Sequence, residues 1–292
     1  MQVKVPLSQD GWRLLDALGE SMGISKKKKK KLLDARSVFV NRKRVWMAKH
    51  QVAFGDVLEA PAQPDTPGPR GSELRVSQCS LHDDPDFIVF AKPAGIDSEG
   101  NQSFEALVKA QLGKGYRLVH RLDRNASGLV LLARTSKAAS RLSACFRDGT
   151  VEKTYLAICA GLPVPQQGGL THWLAPTGDR QGVTRAERDP FPDARESRLT
   201  YQVRESHEGF SLLEVRPITG RRHQIRAQLA LAGWPLLGDV KYGSRRRLPD
   251  HRVALHALSL TVAHPVGGRA LSLECPLPAD WPWPVPPVRT EE

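Results

Sequence analysis

Short apolar runs separated by polar breaks rich in Gly and Pro dominate the chain. Phe87-Ile88-Val89-Phe90, Leu118-Val119 and Leu129 to Ala133 are each bounded by turn residues and read as buried strands. Val151 to Ala160, Arg198 to Val203, Phe210 to Val215, His256 to Val262 and Leu271 to Cys275 extend the strand pattern. Helical spacing intervenes at about 103–112, 136–147 and 220–232. In the second of these, Ala138, Ala139, Leu142, Cys145 and Phe146 share a face and Gly149 ends the run. In the third, Thr219 is the expected cap and Ile225, Leu229 and Ala232 mark the buried side. Strands and helices do not alternate regularly, so the expected large domain is α+β with a mixed, mainly antiparallel sheet. Residues 163–196, rich in Pro, Gly and charge, are expected to be long loops flanking a groove.

The first sixty residues have a different texture. Trp12, Leu15, Leu18 and Met22 recur at helical spacing, with Gly23 as a stop. Ser25 caps a second expected helix that runs to about Arg36 and carries Lys26, Lys27, Lys28, Lys29, Lys30 and Lys31. Val38 to Val40, Val45-Trp46 and Gly55 to Leu58 read as short strands. Residues 61–73 hold four prolines and two glycines without apolar periodicity, which marks a linker. A linker of that length spans about 20 Å if flexible and about 40 Å if polyproline-like. The expected organisation is a small α+β domain over 1–60, a linker over 61–73 and a large domain over 74–292.

Charge narrows the partner. Lys and Arg number 43 against 31 acids, a net +12, and residues 1–60 hold +7 of it. Without a long apolar span or an amphipathic anchor, that excess favours nucleic acid over membrane. Cys79, Cys145, Cys159 and Cys275 lack the close spacing of a zinc site or a disulfide framework, so a reducing compartment is expected. The N-terminus lacks the apolar core of a secretory signal, and a soluble cytoplasmic monomer is expected. The chain has no P-loop, Rossmann glycine fingerprint or clustered metal ligands, so neither a metal nor a cofactor is expected.

The candidate chemistry sits in a polar turn between two apolar runs, where Asp123 lies between Arg121 and Arg124. Neighbouring cations favour the ionised, acceptor-only carboxylate. From these features alone, a plain reading in which Asp123 only caps the turn or pairs with Arg121 stands ahead of a reacting carboxylate. Tyr155 shares a strand face with Val151, Lys153, Ala157 and Cys159, a setting in which most tyrosines are core. Arg222, His223 and Arg226 fall on one helical face by the i+3 and i+4 rule, where a solvated basic face is the plain alternative.

The segment His120-Arg121-Leu122-Asp123-Arg124-Asn125-Ala126-Ser127-Gly128-Leu129 resembles the signature of the RluA-type RNA pseudouridine synthases. In that family the catalytic aspartate sits in His-Arg-Leu-Asp-x-x-Thr-Ser-Gly. Phe90 to Gly95, Lys153-Thr154-Tyr155, Thr219 to Arg226 and Gly238 to Gly243 resemble further family segments, in the family's order, over about residues 74–282. Ala126 departs from the usual threonine. The resemblance implies the pseudouridine synthase fold and isomerisation of uridine in structured RNA, ribosomal RNA before transfer RNA. A non-catalytic assembly factor is the alternative from another class. It implies Asp123 as the catalytic carboxylate, Tyr155 against the base and Arg226 as the bidentate partner of Asp123. Arg121 would fill the space of a flipped base, and Arg221 and Arg222 would contact phosphate. Residues 1–60 resemble the αL-type RNA-binding module, which implies RNA contact by Lys26 to Lys31; a solvated lysine run is the alternative.

Overall fold

The computed structural model describes residues 2–22, 29, 33, 38–41, 43–45, 47, 49–60, 74–178 and 182–284. The chain divides into two compact units, Met1–Pro67 and Gly68–Glu292.

The smaller unit has β1 (Gln2–Lys4), α1 (Leu14–Met22), β2 (Phe39–Val40), β3 (Lys43–Arg44) and β4 (Val57–Glu59). The strands form an antiparallel sheet in the order β1-β4-β2-β3. Helix α1 buries Leu14, Ala17, Leu18 and Met22 in a core with Val5, Val38, Val52 and Leu58. This corrects the expected helix face. Trp12 lies before the helix, exposed, with its carbonyl accepting from Val52 N at 2.9 Å, and Leu15 is only half-buried. Strand β3 falls two residues before the expected one, and β1 had no sequence signal beyond two valines. The Gly23 stop, Trp46, the linker and most of the Ser25–Arg36 helix lie outside the described residues. So do Lys26, Lys27, Lys28, Lys30 and Lys31; Lys29 and Leu33 are both helical.

The larger unit carries β5 (Ser80–Asp83), β6 (Phe87–Lys92), α2 (Phe104–Leu112), β7 (Arg117–Leu118), β8 (Ser127–Ala133), α3 (Ser136–Arg147) and β9 (Glu152–Ala160). These are followed by β10 (Gln167–Pro176), β11 (Thr184–Glu187), β12 (Arg195–His207), β13 (Phe210–Pro217), α4 (Gln224–Leu231), β14 (Leu255–Ala263) and β15 (Ala270–Glu274). Eleven strands form one sheet, β11-β10-β12-β13-β9-β14-β8-β6-β5, with β15 added on β14 and β7 on β8. Every pairing is antiparallel except β14 with β8. At that parallel contact the backbones nearly touch: a Cβ on Gly128 (φ +120°) would overlap the backbone of Ala257. All seven residues of β8 are buried, as a continuous apolar run requires. Thr135 caps α3 by accepting from Ala138 N, and Ser103 caps α2 by accepting from Ala106 N.

Two expectations fail here. Residues 163–196 hold β10 and β11 rather than only loops. These strands flank the sheet, so part of their surface is wet and no apolar run announces them. Helix α4 begins at Gln224, not at 220, because His223 adopts a left-handed backbone (φ 52°) that ends any helix before it. Thr219 is therefore not its cap. Its hydroxyl donates to Gln224 Oε1 at 2.7 Å and accepts from Arg198 N at 3.0 Å, closing a loop instead.

Candidate active site

Between β8 and α4 lies a cavity of about 790 Å³, lined by Asp123, Arg121, Tyr155, Lys153, His223 and Arg226 among others. The turn carrying Asp123 is held from behind through its backbone. Asp123 O accepts from Ala126 N at 3.1 Å, so the turn closes without the hydroxyl that threonine would supply at 126. Ser98 Oγ donates to Leu122 O at 2.8 Å and accepts from Leu122 N at 3.0 Å. Lys92 is buried and its Nζ donates to Pro93 O, Ile96 O and Ala126 O, each at 2.9 Å. Burial depresses this ammonium to about 7, against the pull of Asp123 and Asp97. The Lys-Pro-x-Gly segment thus clamps the Asp123 turn from below.

Helix α4 aims the arginine. Ile225 and Leu229 anchor it in a core with Ala157, Cys159 and Val215. Gln224, at its start, accepts from Arg221 N at 2.9 Å and donates to Arg198 O at 3.0 Å, which shapes the turn ahead of the helix. Arg226, 4% exposed, donates through Nη1 to Asp123 Oδ2 at 3.1 Å. Its fork, however, belongs to another residue: Nε and Nη2 reach Asp239 Oδ2 and Oδ1 at 2.6 and 2.9 Å. The expectation of a bidentate Asp123–Arg226 pair is corrected accordingly. Of the three N–H groups that remain on the guanidinium, only one on Nη1 reaches Asp123. The Tyr242 ring lies 5.0 Å from the same guanidinium. Asp239 is 1% exposed and was missed; Gly238-Asp239 in its motif was the signal, and only the fold reveals its partner.

The other expected residues distribute as follows. Tyr155 and Lys153, on one face of β9, line the cavity while Ala157 and Cys159 continue that face into the core. Burial first, then the charge of Asp123, pushes the Tyr155 phenol up from its ordinary value, and burial pushes Lys153 down. Arg121 is exposed at the rim, ion-paired with Glu99. Arg221 and Arg222 are exposed at the mouth, on the turn before α4 rather than on its face. His120 is structural: its Nε2 accepts from Leu131 N at 3.1 Å and its ring stacks on Phe146 at 4.3 Å. Burial, then Lys153, depresses it to about 3. Away from the cavity Asp84, Asp86 and His264 approach one another, with His264 Nε2 3.2 Å from Asp84 and Nδ1 2.6 Å from Val266 O.

This fold and site meet known proteins at one family. Residues 86–231 match the family described as RNA pseudouridylate synthase. The ribosomal large subunit pseudouridine synthase C of Rickettsia bellii is 32% identical over 209 residues, covering 68% of each chain. The protein of that name from Vibrio cholerae is 28% identical over 280 residues, covering 85% of this chain and 84% of its own. The structure of human RNA Pseudouridylate Synthase Domain Containing 4 superposes with a TM-score of 0.59 at 27% identity, covering 70% of this chain and 91% of the human one. The chain belongs to the RNA pseudouridylate synthase family, among its RluA-type members, and is an isomerase acting on RNA. Among the described residues no helix is long and apolar enough to cross a membrane.

Proposed function

We propose that this enzyme converts uridine to pseudouridine in ribosomal large-subunit RNA, with Asp123 as the reacting carboxylate. The observation that carries the reading is Asp123 at the wall of the cavity, clamped through its backbone and faced by one prong of buried Arg226. Isomerisation breaks the bond from ribose C1′ to uracil N1 and makes one from C1′ to C5; C5 loses a proton and N1 gains one. An ionised carboxylate serves this by attacking the ribose or the base, or by stabilising charge at C1′. Tyr155 enters protonated. It packs against the base, and as a relay it passes its phenol proton on toward N1 and takes the one from C5, so that it ends the reaction protonated as it began. Arg121 would leave Glu99 to occupy the stack vacated by the flipped nucleotide, offsetting a cost of a few kcal/mol.

The ribosomal target rests on the names of the Rickettsia and Vibrio relatives, with transfer RNA as the alternative. The smaller unit would act as an αL-type RNA-binding module, Lys26 to Lys31 included, and Arg221 and Arg222 would meet phosphate at the cavity mouth. The Vibrio similarity supports a shared smaller unit, since a match covering 85% of the chain is longer than the larger unit alone. A monomer in the cytoplasm belongs to the same reading. Pseudouridines are mapped by chemical labelling in cells lacking the protein, then restored with the wild-type chain or with Asp123→Asn. A large-subunit uridine should lose its modification, return with the wild type and stay unmodified with the variant. No change at any ribosomal uridine would overturn the target, and full restoration by Asp123→Asn would remove Asp123 from the chemistry.

A further inference from the structure

Beside Asp123 runs a hydrogen-bonded chain that the reaction above leaves unused. Thr184 N–H, at the start of β11, donates to Tyr242 Oη at 2.8 Å, and that oxygen lies 2.9 Å from His223 Nδ1. A phenol carries one proton. Thr184 takes one lone pair of that oxygen and leaves the phenol hydrogen free to go to Nδ1, and the negative charge of Asp123 beside Nε2 favours this tautomer, with the ring hydrogen of His223 on Nε2. Burial, then the charges of Arg226, Arg222 and Lys241, depresses this imidazole to about 4 in spite of Asp123, so it is neutral at neutral pH. Its Nε2 stands 3.9 Å from Asp123 Oδ1, too far for a hydrogen bond. No other acceptor for Nε2 lies among the described residues. The ring is held edge-on to Tyr242 at 5.7 Å, and the backbone beneath it is left-handed (φ 52°), a conformation few non-glycine residues adopt. A neutral donor is thus fixed in orientation, aimed into the cavity and left unsatisfied next to the reacting carboxylate.

We infer that His223 donates a hydrogen bond from Nε2 to an oxygen of the target nucleotide while Asp123 engages it. This rests on the reading of Asp123 given above. Two acceptors share the required chemistry, the uracil 4-carbonyl and the ribose 2′-hydroxyl. A contact to the 4-carbonyl would also reject cytidine, which presents an amino donor at that position.

The test uses the full chain and a mixture of unmodified ribosomal and transfer RNA transcripts. His223→Asn keeps a residue that tolerates the left-handed backbone, but its shorter amide ends before the space beside Asp123. Its kcat/KM should fall about ten- to a hundredfold, the range for an unmade buried hydrogen bond, with the shape of the pH profile unchanged. Tyr242→Phe frees Nδ1 to carry the proton and should give a smaller loss. Transcripts made with 4-thiouridine, or with 2′-deoxyuridine, identify the acceptor: the one that is read should penalise the wild type and leave His223→Asn no worse. An equal penalty in both chains for both analogues would make His223 structural and overturn the inference. So would wild-type kcat/KM in His223→Asn beside an inactive Asp123→Asn. An active Asp123→Asn, or a wild type inert on the whole mixture, would overturn the underlying reading instead.

Discussion

At Arg226 one guanidinium serves two carboxylates, and the division is unequal. Asp239 takes two short bonds and is fully buried, whereas Asp123 takes one longer bond and faces the cavity. Asp239 is therefore the anchor that aims Arg226, and Asp123 keeps an oxygen for the reaction. Asp239→Asn preserves shape but removes the charge and one acceptor. Single-turnover conversion should fall on the order of a hundredfold, because misplacing a reacting group by about 1 Å costs that much. The RNA dissociation constant should hardly move, since Asp239 contacts no solvent. Unchanged turnover would show that α4 alone aims the arginine. For Arg226→Ala, a loss confined to affinity would recast Arg226 as a phosphate contact; a loss confined to turnover is expected.

Among the elements, the parallel contact of β8 with β14 sets where the Asp123 turn emerges. Ser127 and Gly128 pair with His256 and Ala257, and Ser127 Oγ lies 2.9 Å from His256 Nδ1. Gly128→Ala would force the strands apart and strain a positive φ, at a cost of about 2–5 kcal/mol. Urea unfolding should register that loss, and a stability equal to wild type would mean the strand contact yields freely. The same strands explain why periodicity served some elements and not others. β8 is apolar on both faces and α3 carries a cap and an apolar stripe, so local sequence announces both. β10 and β11 are flanking strands with glycines and charges, and α4 is cut short by a left-handed His223, which no spacing rule reveals.

Across the whole molecule, two titrations and one charge asymmetry make predictions. His120 and His223 are held at about 3 and about 4, below the ordinary histidine value, so the unfolded chain binds protons that the folded chain refuses. The stability these two histidines contribute is complete above about pH 6.5 and falls as pH drops through that window, by about 2 kcal/mol at pH 5 for the fully buried His120. Urea midpoints at about pH 7.5 and 5 should differ accordingly, and His120→Gln should shrink the difference; equal midpoints in the wild type would refute the assignment. Residues 1–60 hold +7 of the net +12, and each neutralised phosphate contributes about 0.7–0.9 to the log–log salt slope. Deleting residues 1–73 should flatten that slope by several units while conversion persists at saturating RNA. An unchanged slope would mean that Lys26 to Lys31 face solvent.

Sequence by itself determined the family, the mixed antiparallel sheet and the turn that bears Asp123, because strand runs, caps and the Asp-x-x-x-Ser-Gly turn are local properties of neighbouring residues. It also identified Tyr155 and Arg226 as cavity residues through their motifs. Tertiary structure alone decided who pairs with whom: that Arg226 gives its fork to Asp239, that Lys92 reaches forward to hold the carbonyl of Ala126, and that Tyr242 orders the proton on His223. These partners lie between 13 and 34 residues apart in the chain, and no spacing rule spans such distances. A buried polar group takes whichever partner the packed elements bring within about 3 Å, since leaving it unpaired costs more than any local preference supplies.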